Sequence, residues 1–167
     1  FRSLVDRDTR DDRFDPRRGS LLSVSLSYSP QFLGSTLSYV RSFSQYSMYR
    51  EIRGNLTWAS CYRLGLASAF GETLIPGKRF FAGGGTSIRG FKLDAVGPLD
   101  LWTGLPEGGE ATVVMNQELR FPIYKMFRGV VFFDAGNVYS RLKDLNPLRL
   151  RTGAGFGLRI ATPVGLI

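Results

Sequence analysis

Hydrophobic and polar residues alternate along most of the chain with the period of two that is typical of β-strands. In the clearest run, from Leu22 to Ser29, every second residue is serine. The residues between those serines are Leu22, Val24, Leu26 and Tyr28. The pattern predicts a strand with one apolar face and one polar face.

The same alternation predicts further strands at the start of the chain and in five internal segments, with a last strand after Pro163. The internal segments are residues 35–51, 56–67, 111–121, 129–139 and 150–160. These strands are longer than the 5 to 6 residues usual in soluble sheets, and they match the roughly 9 to 11 residues that a tilted strand needs to cross a bilayer. Segment 111–121 taken alone also fits a helix, but Pro122 and the neighbouring strands favour a strand.

Short predicted turns alternate with longer links along the chain. The short turns are residues 15–19, 51–55, 122–127 and 163–165. A transmembrane barrel has short turns on one rim and longer loops on the other. A soluble β-sandwich would also give many strands, with its apolar faces packed together. Because serine, glycine and arginine on the polar face suit a water-filled lumen, we expect an all-β fold, an antiparallel transmembrane β-barrel.

The composition limits the kinds of catalytic and metal site that the chain can form. The 167 residues contain no histidine and one cysteine, Cys61, so an intrachain disulfide, a cysteine zinc site and the usual catalytic triads are excluded within this sequence. We therefore expect no enzyme, no catalytic residues, no metal and no cofactor. The pair Asp11 and Asp12 lies in a polar run and is interpreted as solvated charge.

The charge also limits the choice of partner. Twenty-two basic residues against 14 acidic residues give a net charge of +8. The arginines are spread singly, and several fall on predicted inward-facing positions. This distribution indicates a charged interior surface rather than a compact nucleic-acid patch, so no nucleic-acid partner is expected.

Neither end of the chain has a targeting or membrane-helix signal. No signal peptide opens it, and no apolar run approaches about 18 residues. Both ends fall inside predicted strands, so we expect a piece of a larger protein.

One glycine-rich stretch, residues 79–91, is too long for a hairpin turn. Its glycines, Gly83, Gly84 and Gly85, permit positive φ and a close approach to a wall. A phosphate-binding loop would require a helix after it, but residues 91–109 contain two prolines and four glycines. A surface loop without specific chemistry is the plainer alternative. Because an apolar, a cationic and an aromatic side chain follow within four residues, we favour a docking loop.

The sequence resembles the barrel of the BamA/TamA outer-membrane assembly superfamily, also called the bacterial surface antigen family. The resemblance rests on four features in the family's order, across nearly the whole chain. They are residues 7–11 (RDTRD) leading to 15–19 (DPRRG), residues 81–91 (FAGGGTSIRGF), residues 116–122 (NQELRFP) and residues 132–138 (FFDAGNV). The loop with its Arg-Gly-aromatic tip is the specific feature.

The resemblance implies that residues 1–167 form one partial barrel domain, about seven to eight C-terminal strands of a sixteen-stranded barrel. It further implies that the long loop folds back into the lumen, with a tip made of Ile88, Arg89, Gly90 and Phe91 and with Gly83, Gly84 and Gly85 as its hinge. Arg89 would then reach Glu118 and Asp134. The alternation independently places both carboxylates on the polar face, although they could also be ordinary lumen-facing carboxylates among many arginines.

The resemblance also implies a function: non-enzymatic insertion of unfolded outer-membrane proteins in the bacterial outer membrane, with the lipid bilayer and accessory assembly proteins as partners. The main alternative is a polypeptide exporter of the two-partner-secretion kind, and a plain pore or soluble β domain is the third. We expect the periplasmic repeats and the first half of the barrel to lie outside these 167 residues. We therefore expect this piece alone to insert nothing.

Overall fold

The computed structural model describes residues 1–30, 38–53, 55–71, 73–162 and 165–166. Within these residues the chain forms one antiparallel sheet of eight strands, in which each strand pairs with its neighbours in the sequence. The strands are β1 (Arg2–Asp8), β2 (Gly19–Ser29), β3 (Tyr39–Glu51), β4 (Thr57–Ala69), β5 (Ala111–Tyr124), β6 (Phe127–Tyr139), β7 (Arg151–Thr162) and β8 (Gly165–Leu166). The predicted all-β, antiparallel architecture is confirmed.

Helical structure is minor in the described part of the chain. Two short 3₁₀ turns, Pro76–Lys78 and Leu142–Asp144, lie in the connections. Within the described ranges, no helix is long and apolar enough to cross a membrane.

The predicted segments match the strands, but one turn lies elsewhere. Segment 111–121 is a strand and not a helix, and it continues through Pro122 to Tyr124. The turn predicted over 122–127 therefore shrinks to Lys125 and Met126, and Lys125 takes a positive φ of 47°. The pairing register shifts between Pro122 and Tyr124, which accommodates a proline that cannot donate to the ladder. Residues 31–37, Gly54, and residues 163, 164 and 167 lie outside the described residues. The start of the predicted strand 35–51, the end of the predicted last strand, and parts of the turns predicted over 51–55 and 163–165 fall on them.

The two faces of the sheet differ as the alternation predicted. We call the face that carries the large exposed apolar side chains the outer face and the opposite face the loop face. The outer face includes Leu22, Leu26, Tyr46, Met48, Trp58, Tyr62, Leu64, Val131, Phe133, Phe156 and Leu158. The loop face carries the serine, glycine and arginine positions and receives the long connection between β4 and β5.

One glutamine on the outer face is held by a closed hydrogen-bond network. The Oε1 atom of Gln117 accepts from Trp58 Nε1 at 2.8 Å and from Ser60 Oγ at 2.6 Å, and its Nε2 donates to the hydroxyl of Tyr62 at 3.1 Å. Since these polar groups satisfy one another, the amide can lie on an apolar face without a large desolvation penalty.

The buried apolar core lies between the long loop and the sheet. One cluster consists of Ala82, Ile88, Val96, Val114 and Val138, with Phe91 packed against it. The other consists of Ala67, Leu74 and Phe80, with Tyr39, Phe43 and Ala69 at its edge. Each cluster joins loop residues to strand residues, so the loop is part of the folded core rather than a surface appendage.

The outgoing arm of the loop ends in a small exposed hairpin closed by the Leu99–Pro106 bridge. The Oδ1 atom of Asp100 accepts from the backbone N–H of Thr103 at 2.7 Å, from the Thr103 hydroxyl at 2.9 Å and from the N–H of Trp102 at 2.9 Å. These bonds to the backbone and hydroxyl of Thr103 and to the backbone of Trp102 lower the pKa of the Asp100 carboxyl. The Trp102 side chain is 96% exposed at the tip.

The lowered pKa of Asp100 predicts an acid-sensitive hairpin. The ionised Asp100 carboxylate stabilises the hairpin fully above its unfolded pKa of about 3.9. This stabilisation is lost as the pH falls through the lower pKa of the folded state. Trp102 fluorescence should therefore change as the pH falls from about 5 to 2. Asp100→Asn keeps an acceptor oxygen but cannot titrate, so it should abolish the change. A pH response of equal size in Asp100→Asn would contradict this assignment.

Candidate functional site

The loop between β4 and β5 reaches the sheet through a tight, self-bonded turn. The Ser87 hydroxyl donates to the carbonyl of Gly83 at 2.9 Å and accepts from its N–H at 2.7 Å. Gly83 and Gly84 have φ values of +116° and +91°, and a Cβ at Gly83 would come within 2.5 Å of the Lys92 carbonyl oxygen. Gly85 has neither constraint. Gly83 is thus required by the turn, while a hinge role for the three glycines stays a prediction.

The structure brings Arg89 together with Glu118 and Asp134. The guanidinium donates to Asp134 through two parallel bonds, Nε to Oδ2 and Nη2 to Oδ1, both 2.7 Å long. Its Nη1 donates to Glu118 Oε1 at 2.6 Å, and the Arg89 backbone N–H donates to Asp134 Oδ2 at 3.0 Å. The Phe132 ring lies under the guanidinium, with Cζ 3.7 Å from the ring centroid. This geometry is the planar, bidentate recognition that arginine provides and lysine does not.

Glu118 is shared among three arginines. Besides Arg89, its carboxylate accepts from Arg120 Nη2 at 2.9 Å and from Arg159 Nη2 at 2.8 Å. Because Arg159 lies in β7, the carboxylate connects the loop tip with β5 and β7. The alternation placed Arg120 and Arg159 on the polar face, but sequence reasoning did not pair them with Glu118.

Asn116 is a further member of the site that sequence reasoning missed. Its Nδ2 donates to the Ser87 carbonyl at 2.5 Å and to Asp134 Oδ1 at 2.8 Å. It thereby links the turn of the loop to the same carboxylate that binds Arg89. Its own Oδ1 is buried and has no hydrogen-bond partner within the described part of the chain.

The remaining tip residues fix the backbone and the packing. Ile88 is fully buried in the apolar cluster, and Phe91 packs against that cluster from the side. Gly90 has a φ of +91° and open space around its Cα. A positive φ is strained for other residues, so glycine suits this bend for a backbone reason rather than a packing reason.

β7 makes room for the loop backbone at Gly153. This residue lies opposite Asp134 in the β6–β7 register, and a Cβ added to it would overlap the carbonyl oxygen of Arg89. The sequence pattern identified Gly153 only as a lumen-face residue. It is in fact the point at which the loop tip touches β7.

Other arginines on the loop face bind the loop backbone. Arg63 Nη1 donates to the carbonyl of Thr86 at 2.9 Å. Arg41 Nε donates to the carbonyl of Lys78 at 3.1 Å, and its guanidinium carbon lies 4.2 Å from the centroid of the Phe80 ring. Part of the charged surface that the arginine spacing predicted is therefore bonded to the loop.

Comparison with known proteins agrees with this architecture. A family model described as the Omp85 superfamily domain matches residues 3–167. The sequence is 26% identical to the outer membrane protein assembly factor BamA of Nitratidesulfovibrio vulgaris over 95% of this chain and 21% of that protein. It is 29% identical to a SAM50-like protein of Schizosaccharomyces pombe over 94% of this chain and 36% of that protein.

A plant relative and a solved structure extend the comparison. Outer envelope protein 39 of Arabidopsis thaliana chloroplasts is 34% identical over 60% of this chain and 28% of its own length. The crystal structure of BamA from Haemophilus ducreyi lacking POTRA domains 1–3 superimposes with a TM-score of 0.83 at 24% identity, over 96% of this chain and 36% of that one. This likeness shows the fold, a portion of a β-barrel. The chain spans between about a fifth and about a third of the length of these relatives.

The geometry predicts that Arg89 cannot be replaced by another cation. Arg89→Ala in the full-length protein should destabilise the loop by about 3 kcal/mol, because it leaves the buried Asp134 without its main partner. Arg89→Lys should be damaging as well, since a point charge cannot reproduce the two parallel bonds. Proteolysis rates of the loop and unfolding midpoints in denaturant measure both effects. Arg141→Lys, at an exposed position, is the matched control. Parental protease resistance in both Arg89 variants would show that the arginine does not hold the loop.

The contact at Gly153 predicts a steric effect without any change of charge. Gly153→Ala should push the Arg89 carbonyl away from β7 and cost about 1 to 3 kcal/mol, the usual range for overpacking. Gly157→Ala, on the same face of the same strand, is the control, because its Cβ would meet only the Val130 Cγ1 atom at 3.3 Å. Unfolding midpoints of the two variants should differ. Equal midpoints would mean that the loop tip does not depend on this contact.

Proposed function

The chain belongs to the Omp85 superfamily, and from that premise we propose that it is the C-terminal part of an outer-membrane β-barrel that assembles and inserts other outer-membrane proteins. Residues 1–167 form one partial barrel domain in this proposal, with the outer face toward the lipid bilayer and the loop face toward the lumen. One relative carries the name outer membrane protein assembly factor, which supports assembly rather than passive conduction.

The observation that carries the proposal is the attachment of the loop tip to three adjacent strands. Arg89 binds carboxylates of β5 and β6, while Glu118 binds Arg159 of β7. This attachment braces the wall formed by β5, β6 and β7.

The proposed activity is templating rather than bond chemistry. An exposed strand edge in the complete barrel pairs with an incoming strand through backbone hydrogen bonds, as in β-augmentation. Such pairing requires no catalytic residue, metal or cofactor, so we propose a non-enzymatic role. The substrates are unfolded outer-membrane proteins, and accessory assembly proteins would act with the full-length molecule.

The finer assignments are also proposals. We place the protein in the BamA/TamA branch and in the bacterial outer membrane. Relatives from a fungus and from a plant chloroplast make an organelle outer membrane the alternative. A polypeptide exporter is the second candidate, because a loop that lies against the lumen wall would also gate a conduction pore.

Depletion of the full-length protein separates the two functions. We expect folded barrel proteins to disappear from the outer membrane while secretion into the medium otherwise continues. Both quantities are measured in parallel, with heat-modifiable migration on gels as the readout of barrel folding. Loss of a single secreted protein with unchanged barrels would instead establish an exporter, and the loop would then act as a gate.

A further inference from the structure

An arginine projects from the outer face at the end of β3. In this strand Tyr46, Met48 and Arg50 alternate outward, and all three are exposed. Arg50 lies opposite Trp58 in the β3–β4 register. An outward arginine is destabilising by about 2 to 4 kcal/mol at the middle of a bilayer and by about 0 to 1 kcal/mol near its surface. Arg50 therefore fits the membrane surface at the short-turn rim, which we define as the edge of the sheet that carries the turns at residues 15–19 and 51–55. β3 ends at this rim.

The indole beside Arg50 is held in one orientation. Trp58 Nε1 donates to Gln117 Oε1 at 2.8 Å and to Ser60 Oγ at 3.0 Å, which fixes the ring while 48% of the residue stays exposed. An outward-facing groove runs between the arginine and the indole. It is lined by Met48, Arg50, Glu51, Ile52 and Trp58. Its walls are mainly apolar, with Arg50 on one side, and the carboxylate of Glu51 that also lines it is paired with Arg18.

The neighbouring turns add further positive charge. Arg17 and Arg18 precede β2, and Arg53 follows β3 on the same rim. Arg18 forms an ion pair with Glu51 at 2.7 Å, while Arg17 donates to the side chain of Asn55 at 3.2 Å. Across the described ranges, no carboxylate lies within 4.0 Å of the charged groups of Arg17, Arg50 or Arg53.

We propose that this groove binds the phosphate of a phospholipid headgroup. The guanidinium of Arg50 contacts the phosphate oxygens, Arg17 and Arg53 supply further attraction, and the Trp58 ring with Met48 and Ile52 packs against the glycerol and the first methylenes. The apolar walls select a lipid over a free anion, because inorganic phosphate would gain nothing from them. Anchored lipid at this rim would fix the depth of β3 and β4 in the leaflet. The inference rests on the proposal that the sheet crosses a membrane.

Binding of fluorescent short-chain phosphatidylglycerol to the full-length protein in detergent tests the site. Arg50→Gln should weaken binding about fivefold, the effect of one interfacial arginine. Arg149→Gln removes the same charge at an exposed position in the connection after β6 and should leave binding unchanged. Millimolar inorganic phosphate should not displace the lipid. Equal affinities of the two variants, or displacement by inorganic phosphate, would overturn the proposal.

The parent protein allows a second measurement that needs no variant. Phosphatidylglycerol with a photoreactive headgroup, in bilayer nanodiscs, should crosslink mainly to peptides that contain residues 48–58. Crosslinks spread evenly around the rim would refute a specific site at Arg50 while leaving membrane insertion intact. Failure of the full-length protein to enter nanodiscs at all would instead remove the membrane premise itself.

Discussion

The buried carboxylate of Asp134 is the group on which the position of the loop depends. It is 0% exposed and lies on a strand, so its place is set by the sheet rather than by the loop. A charge in such a place is tolerated only where its oxygens are fully bonded, and here they receive Arg89 through its side chain and backbone and Asn116 through its amide. The loop tip supplies most of these donors. The carboxylate and the loop therefore stabilise each other.

Shape and charge act together at the same point. The Arg89 guanidinium reaches Asp134 only if the backbone carbonyl of Arg89 can lie against β7, and Gly153 leaves the space for it. The apolar packing of Ile88 a residue earlier fixes the depth of the tip, and the ring of Phe132 supports the guanidinium from below. Each contact narrows the positions that the others allow. The result is a tip whose geometry is set by packing as well as by ion pairs.

The strands, their faces and the partners of Arg89 could be predicted, because alternation assigns each residue to a face and the family resemblance supplied the loop path. Alternation does not give the register between strands, which is why the placement of Gly153 opposite Asp134 escaped prediction. The role of Asn116 escaped for a different reason, since it depends on where the Ser87 carbonyl lies in an aperiodic loop. The predicted end of this strand at Phe121 was wrong, because a register shift at Pro122 allows β5 to continue to Tyr124.

The net charge of +8 has two different structural origins. On the loop face, arginines such as Arg41, Arg63 and Arg159 donate to loop carbonyls or to Glu118, so their charge is used to hold the loop against the sheet. At the short-turn rim, arginines such as Arg50 face outward without a carboxylate partner among the described residues. An arginine that is bonded to groups of the protein attracts an external anion less strongly than an arginine at the rim that has no carboxylate partner. The arginines at the rim are therefore the part of the basic composition on which the proposed phospholipid contact rests.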